Sequence, residues 1–131
     1  MNRIHEPHYV YYIPNAEYIG RTLKRRQVKM LASGPLYDNG IQVRKQEHIT
    51  SGRISKNDKV LKLAEVRNYE HAHMLEQLLI TDLYDDLSNN TTHLNDSTYS
   101  HYMSRISRLK VINYDDILNR VKKIKKFQKG I

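Results

Sequence analysis

Cysteine and tryptophan are absent from this chain of 131 residues, and phenylalanine occurs once. The absence of cysteine excludes disulfide bonds, thiolate metal sites and cysteine nucleophiles, and it fits a cytoplasmic protein. The first residues form no apolar signal core, and no apolar run is long enough to cross a membrane, so we expect no membrane partner. The chain contains no internal repeat, and its length suits one domain with a short helical addition.

Tyrosine and positive charge are what the chain has in excess. Ten tyrosines carry nearly all of its aromatic character, and a buried tyrosine hydroxyl needs a hydrogen-bond partner. Lysine and arginine outnumber aspartate and glutamate by 22 to 14, which gives a formal net charge of +8. From Arg105 to the end there are nine basic residues and only two acidic ones. This imbalance favours a polyanionic partner, above all nucleic acid.

The pattern of apolar and turn-forming residues predicts an α+β fold with a small three-stranded sheet flanked by helices, followed by basic C-terminal helices. Strands are predicted over residues 8–13 and 17–19, which form a hairpin around Pro14, and over residues 59–67. Residues 41–56 are ambiguous and fit a short helix followed by a loop. Helices are predicted over residues 23–32, 69–87, 97–108 and from Asn113 onward.

Tyr11 and Tyr18 stand on opposite arms of the predicted hairpin, where both phenols can point to one face of the sheet. Two adjacent phenols can polarise a water molecule or hold a phosphate. A cross-strand aromatic pair that only stabilises the sheet has the same pattern. The tyrosine pair alone therefore favours a structural role.

The segment that contains these tyrosines resembles the signature of the GIY-YIG nuclease family. Residues 9–11 (Tyr-Val-Tyr) stand where the family has Gly-Ile-Tyr, and residues 18–20 (Tyr-Ile-Gly) match the second half unaltered. Tyr9 replaces the first glycine, and the spacer between the two halves is short. The resemblance implies a nuclease core over residues 1–96 and a basic helical extension over residues 97–131, packed on the core or contacting DNA.

Members of this family place an arginine on the first helix and, in many cases, a histidine or tyrosine shortly after it. Arg26 is preferred to Arg25 because it shares the predicted helix side that turns toward the sheet. No histidine or tyrosine lies four residues beyond Arg26. Tyr37 is the first candidate for that position, and His48 is the second.

The family also uses a glutamate on the helix that follows the third strand. Glu76 fits best, because it lies at the edge of the predicted buried stripe, where a carboxylate is costly unless it is paired or binds a cation. Pairing with a nearby lysine or arginine is the competing interpretation. Glu65 and Glu70 are weaker candidates. A His71–His73–Glu76 metal trio is disfavoured, since the spacing puts the two histidines on different helix faces.

The last family element is an asparagine after that helix, for which Asn95 is the first candidate and Asn89 and Asn90 are competitors. The resemblance then implies that Glu76 holds Mg²⁺ or Mn²⁺ and that Tyr11, or a water held by it, takes a proton from the nucleophile. It also implies that Arg26 binds the phosphate and supplies positive charge, that Tyr18 and Tyr37 orient the water, and that Asn95 fixes the geometry. Contacts with DNA phosphates are expected from Arg21, Lys24, Arg25, Lys122, Lys123, Lys125 and Lys126.

These inferences predict a metal-dependent endonuclease of homing or restriction type, as found in phages and bacteria, that acts on double-stranded DNA. Two other classes remain open from the sequence: a non-catalytic nucleic-acid-binding protein on the same scaffold, and a protein-interaction module. The sequence also leaves open the choice between DNA and structured RNA, the target site and the oligomeric state.

Overall fold

The chain opens with a tight antiparallel hairpin, as the sequence predicts. The computed structural model describes residues 6–89 and 92–129, with the backbone alone for residues 126–129. Strand β1 (His8–Ile13) pairs with β2 (Tyr18–Leu23) across a single 3-10 turn at Pro14–Ala16. All six residues of β1 are buried, which makes this strand the centre of the fold.

The third strand predicted from the sequence is β5 (Leu61–Val66), which pairs antiparallel with β1. The sheet order is therefore β2-β1-β5, with a register shift in β1 between Val10 and Tyr11. Because side chains alternate along a strand, Tyr11 and Ile13 face one side of the sheet and Val10 and Tyr12 face the other. A small antiparallel sheet surrounded by helices confirms the α+β class.

The prediction of a helix over residues 23–32 is wrong. This segment forms β3 (Arg25–Leu31), which pairs with β4 (Gly34–Asn39) in a separate two-stranded sheet. The physical reason is that the segment has no surface to bury: six of the seven residues in β3 are exposed, and a short helix without a packed face has little stability in water. Gly34, at a φ of 129°, closes the turn in a conformation that other residues rarely adopt.

Helix α1 (Gly40–Thr50) lies in the segment that the sequence left ambiguous. The Asn39 side chain caps it by accepting hydrogen bonds from the backbone nitrogens of Ile41 and Gln42. Gly40 packs directly on the end of β2, where a Cβ atom would lie 1.6 Å from the carbonyl oxygen of Leu23. Glycine at this position thus allows α1 to begin against the sheet.

The remaining helices pack on the other side of the sheet and complete the main core. They are α2 (Tyr69–Asp82), α3 (Asp96–Ser107) and α4 (Tyr114–Lys129). Ile106, Ile117 and Val121 lie in the same buried cluster as Val10 and Leu75, so the basic C-terminal helices are packed on the core. No helix in the described ranges has both the length and the apolar character needed to cross a membrane.

Candidate active site

The face of the sheet under α1 carries Tyr11, whose ring passes over Gly20. The two residues are directly opposite each other in the β1–β2 pair. A Cβ atom on Gly20 would lie 2.5 Å from both the Cζ and the hydroxyl oxygen of Tyr11, and 2.8 Å from Cε1 of Tyr18. Real Cβ atoms do not approach other atoms so closely. The glycine of the Tyr-Ile-Gly segment therefore makes the space that the Tyr11 ring occupies.

Two side chains of α1 bind the phenol oxygen of Tyr11. The Nε2 atom of His48 lies 3.0 Å from this oxygen, and Nε of Arg44 donates to it over 3.2 Å. The two residues are four positions apart, so they project from the same side of the helix on successive turns. The whole side chain of Tyr11 is buried, and α1 thus supplies the polar partners that a buried phenol requires.

Tyr18 and Arg53 complete the cluster around His48. The rings of Tyr11 and Tyr18 are stacked with centroids 6.1 Å apart, and the His48 ring meets Tyr18 edge-on at 4.7 Å. Arg53, in the loop after α1, lies over the Tyr18 ring with its Cζ 4.7 Å from the centroid. Its Nη1 atom is 2.8 Å from Nδ1 of His48. Both ring nitrogens of His48 therefore have a partner.

These contacts determine which nitrogen of His48 carries the proton. A guanidinium group can only donate hydrogen bonds, so Nδ1, facing Arg53, has to accept. In the neutral ring the proton then lies on Nε2, and this N–H donates to the phenol oxygen of Tyr11. That oxygen consequently accepts two hydrogen bonds, one from His48 and one from Arg44, and both favour the negatively charged form of the phenol.

Burial shifts the pKa of both groups in this hydrogen bond. It raises the pKa of Tyr11 to about 12, against the lowering effect of Arg44. It lowers the pKa of His48 to about 4, and the positive charges of Arg44 and Arg53 act in the same direction. At neutral pH the free protein therefore holds a neutral imidazole against a protonated phenol, next to the fixed positive charge of Arg44.

Glu76 of α2 forms a second group that is coupled to this cluster. Its Oε1 atom accepts from Nε of Arg21 over 3.2 Å and from the Gln77 amide over 3.2 Å. The pairing with a basic residue that the sequence left as an alternative is thus present. The Glu76 charge, after burial and other contributions, also acts to raise the pKa of Tyr11.

Glu76 has few neighbouring groups among the described residues that could share a metal ion with it. Within the described ranges, no three histidine, aspartate or glutamate side chains are grouped so that they could hold a metal ion together. Glu76 keeps 15% of its side chain exposed, and its Oε2 atom makes no hydrogen bond to a described residue. Mg²⁺ is often held by one or two carboxylates, with water and substrate phosphate as its other ligands, and Glu76 can supply one such oxygen.

Arg26 and Tyr37, both predicted as site residues, lie outside the cluster. Because residues 25–31 form a strand instead of a helix, Arg26 reaches Glu47 on the outer side of α1 instead of Tyr11. Tyr37 lies on β4, where it is exposed and stacks with Arg25. Their places beside Tyr11 are taken by Arg44 and by His48, the second candidate from the sequence.

Asn95 is also displaced from the site, because its side chain caps α3 by accepting from the backbone nitrogen of Thr98. Its competitor Asn89 contacts β2 instead. The Asn89 amide donates to the carbonyl oxygen of Ile19 and its Oδ1 accepts from Ile19 N over 3.1 Å. Asn89 therefore holds the strand between Tyr18 and Gly20 in place. The other competitor, Asn90, lies outside the described residues.

The predicted DNA-binding residues fall into four groups. Lys122 and Lys123 are exposed on α4. The prediction for Lys125 is wrong, because its side chain is buried and its ammonium group donates to Glu17 and to the Asp86 carbonyl. The side chain of Lys126 lies outside the described part of the chain. The basic residues nearer the site have partners within the protein: Arg21 with Glu76, Lys24 with Glu65, and Arg25 with Tyr37.

The sequence contains a signal for Arg44, which was not predicted as a site residue. Arg44 and His48 show the spacing of four that was sought after Arg26, and they follow Asn39-Gly40, a pair typical of a turn that leads into a capped helix. Arg53 had no comparable signal, because its position depends on how the loop after α1 folds back over Tyr18.

Comparisons with protein-family models, with curated proteins and with solved structures gave no significant match to this chain. Its function has to be inferred from its own residues and geometry.

Proposed function

We propose that the chain is a metal-dependent endonuclease that hydrolyses DNA phosphodiester bonds and resembles the GIY-YIG nucleases. The observation that supports this most is the phenol oxygen of Tyr11, which accepts from His48 Nε2 at 3.0 Å and from Arg44 Nε at 3.2 Å. Tyr12, which is equally buried, has no hydrogen-bond partner for its hydroxyl among the described residues. Tyr11 has two donors, one of them cationic, which is the environment a phenolate requires.

In this proposal Tyr11 is the proton acceptor for the attacking water. A phenol of pKa about 12 gives little phenolate near neutrality, so positive charge has to lower its pKa during the reaction. Arg44 supplies a permanent charge at the phenol. His48, neutral because of its lowered pKa, donates through Nε2 without competing for the proton. Tyr18, stacked on the Tyr11 ring and in edge-on contact with the His48 ring, keeps the phenol and the imidazole in position.

Glu76 supplies the second component, an oxygen ligand for Mg²⁺ or Mn²⁺. When bound, such a cation polarises the phosphate and stabilises the charge on the leaving oxygen. Arg21 holds the Glu76 carboxylate through Oε1 and leaves Oε2 without a protein partner among the described residues. Arg21 thus acts here as a positioning residue for the carboxylate, while Arg44 is the residue suited to bind the phosphate.

Nicking of supercoiled plasmid DNA in the presence of Mg²⁺ tests the proposal. Tyr11→Phe removes only the hydroxyl group and should abolish nicking. Tyr12→Phe is the matched control, because Tyr12 is equally buried on the opposite face of the sheet and its hydroxyl has no hydrogen-bond partner in the described part of the chain. Nicking by Tyr11→Phe at the same rate as by Tyr12→Phe would contradict a catalytic role for Tyr11.

The carboxylate is tested in the same assay by Glu76→Gln. This change keeps the size of the side chain but removes the charge that binds a cation, so we expect loss of nicking. Glu65→Gln is its control, since Glu65 forms an ion pair with Lys24 at the outer strand β5. Wild-type protein that binds DNA but never nicks it, with either Mg²⁺ or Mn²⁺, would instead support a non-catalytic nucleic-acid-binding protein.

A further inference from the structure

The two-stranded sheet of β3 and β4, here called the arm (residues 25–39), exposes an unusual amount of apolar surface. Seven large apolar side chains in the described part of the chain are exposed, and five of them lie on the arm. Between 39% and 65% of each of these five is accessible to solvent: Val28, Met30, Leu31, Leu36 and Tyr37. Clustered exposed apolar residues mark a binding surface in soluble proteins, so the arm has a partner.

The charge of the arm is positive. Arg25, Arg26 and Lys29 lie on β3, and Asp38 is the only acidic residue between positions 25 and 39. Of the three basic residues, Arg26 is paired with Glu47, whereas the Arg25 guanidinium lies over the Tyr37 ring and forms no ion pair with a described residue. A second copy of the same arm would bring like charges together, which disfavours self-association through this surface. A polyanion satisfies both the charge and the exposure.

The base of the arm is joined to the candidate active site through one carboxylate. Glu47 of α1 accepts from Arg26 of β3 and, through the same Oε1 atom, from Nη1 of Arg44 at 3.2 Å. Arg44 in turn donates to Tyr11. Glu47 therefore links the base of the arm to Arg44, the residue that the proposed function assigns to phosphate binding.

We propose that the arm lies in the minor groove of duplex DNA, with Arg25 and Lys29 at the phosphates and Met30 and Leu31 against the base steps. This inference rests on the proposed function for the identity of the polyanion as DNA. Methionine, leucine and proline are side chains that enter the minor groove as wedges between base steps. The outer part of the arm, residues 30–36 (Met-Leu-Ala-Ser-Gly-Pro-Leu), has almost no side chains that could hydrogen-bond to base edges in the major groove.

The test is the affinity of the full chain for a short duplex in EDTA, measured by fluorescence anisotropy, so that neither metal nor cleavage enters the result. The double variant Met30→Ser/Leu31→Ser should bind about tenfold more weakly, because apolar surface no longer leaves water on binding. Val111→Ser is the matched control: Val111 is 85% exposed in the loop before α4, away from the arm. Lys29→Gln should lower the slope of log affinity against log salt by about 1.

The choice of groove is tested by competition. A small molecule that fills the minor groove should displace the chain, whereas methylation of cytosine in the major groove should leave the affinity unchanged. Circular dichroism of each variant shows that the fold is intact, which is expected because the substituted side chains are exposed. If cytosine methylation weakens binding and the minor-groove ligand does not displace the chain, the proposed position of the arm is overturned.

The outcomes separate this inference from the proposed function. If the double variant weakens binding but wild-type protein never nicks DNA, the arm is supported and the nuclease proposal fails. If wild-type protein nicks DNA and the double variant binds and nicks as well as Val111→Ser, the nuclease proposal stands and the arm is overturned. Absence of duplex binding by wild-type protein also overturns the proposed role of the arm. Self-association in sedimentation that the double variant abolishes overturns it as well, since the arm would then bind a second copy of the chain.

Discussion

The Nε2 atom of His48 lies 3.0 Å from the phenol oxygen of Tyr11, although the two residues are 37 positions apart in the sequence. This hydrogen bond joins α1 to the central strand of the sheet at the point where the tyrosine ring crosses Gly20. Because both side chains are buried and Arg44 binds the same oxygen, a change in any of these residues alters the environment of one phenol. The following predictions depend on that arrangement.

Arg44 and Arg26 should differ strongly in their effect on cleavage, although both bind Oε1 of Glu47. Arg44→Gln removes the positive charge at the Tyr11 oxygen, and the rate at saturating DNA should fall by about 100-fold, as for other donors that stabilise developing negative charge. Arg26→Gln leaves the Tyr11 oxygen untouched, and its saturated rate should stay near that of wild type. Similar losses in the two variants would show that only the total charge near α1 matters.

Gly20→Ala should destabilise the protein chiefly by crowding the Tyr11 ring. The added Cβ would lie 2.5 Å from the Tyr11 ring, and overpacking of this kind costs about 1–3 kcal/mol in free energy of unfolding. In a Tyr11→Leu background the shorter side chain leaves room on that side, so the same substitution should cost less, with the contact to Tyr18 remaining. Urea denaturation of the four proteins measures the coupling. An equal cost in both backgrounds would place the strain in the backbone instead of the ring.

The fold was predictable where local pattern and burial agree. The six residues of β1 are rich in strand formers and are all buried, and the apolar residues of α2 recur at helical spacing because one side of that helix packs on the sheet. The helix prediction for residues 23–32 failed because this segment contains apolar residues that are not buried. Val28, Met30 and Leu31 are exposed on the arm, so their spacing carries no information about a core.

The candidate site was predictable from the sheet side and from α2, but only in part from α1. Tyr11, Tyr18 and Glu76 are fixed by the hairpin and by a helix with a clear buried side. Helix α1 buries only Gly40 and His48, so it has no apolar stripe from which its orientation could be inferred. The contact between Arg44 and Tyr11 depends on the close approach of Gly40 to Leu23, a long-range packing relationship that sequence periodicity does not encode.

Asp82 should be important for stability but not for catalysis. Its carboxylate accepts hydrogen bonds from the hydroxyls of Tyr99 and Tyr114, which ties α2 to α3 and α4. Asp82→Ala leaves the hydroxyl of the buried Tyr114 without this acceptor, which should cost about 1–3 kcal/mol in free energy of unfolding. Asp85→Ala, an exposed neighbour, is the control. A loss of nicking by folded Asp82→Ala protein would contradict a purely structural role.

Acid should destabilise the folded chain before its carboxylates are protonated. The pKa of His48 is lowered from 6.5 to about 4 by burial, then by Arg44 and Arg53, and burial also lowers the pKa values of His8 and His73. Between pH 6.5 and 4 the unfolded chain therefore binds protons that the folded chain does not. The linkage relation then requires stability to be full above pH 6.5 and to fall as the pH decreases through this window.

Urea denaturation at several pH values between 7 and 4 measures this effect. His48→Gln keeps a side-chain N–H donor for Tyr11 but does not titrate, so its stability should fall less steeply with decreasing pH than that of wild type. Parallel curves for the two proteins would mean that His48 is free to take up a proton in the folded state. The inference that its imidazole is buried and neutral would then be wrong.

Arg53 should determine the tautomer of His48, and this effect can be measured without any activity. In wild-type protein the nitrogen-15 chemical shifts of the His48 ring should show a proton on Nε2 and none on Nδ1, because Arg53 donates to Nδ1 over 2.8 Å. Arg53→Met removes the donor while keeping an aliphatic side chain over Tyr18, so part of the population should move the proton to Nδ1. Arg105→Met, at an exposed position of α3, should leave the His48 shifts unchanged.

The Arg53→Met variant also distinguishes a positioning role of Arg53 in catalysis from a role in folding. When the proton is on Nδ1, Nε2 accepts a hydrogen bond from the Tyr11 hydroxyl instead of donating one, and the phenolate loses a stabilising partner. Arg53→Met should therefore cleave more slowly than Arg105→Met at saturating DNA. Unchanged His48 shifts in Arg53→Met would show that the contact with Tyr11 alone fixes the tautomer, and Arg53 would then have no role beyond its stacking on Tyr18.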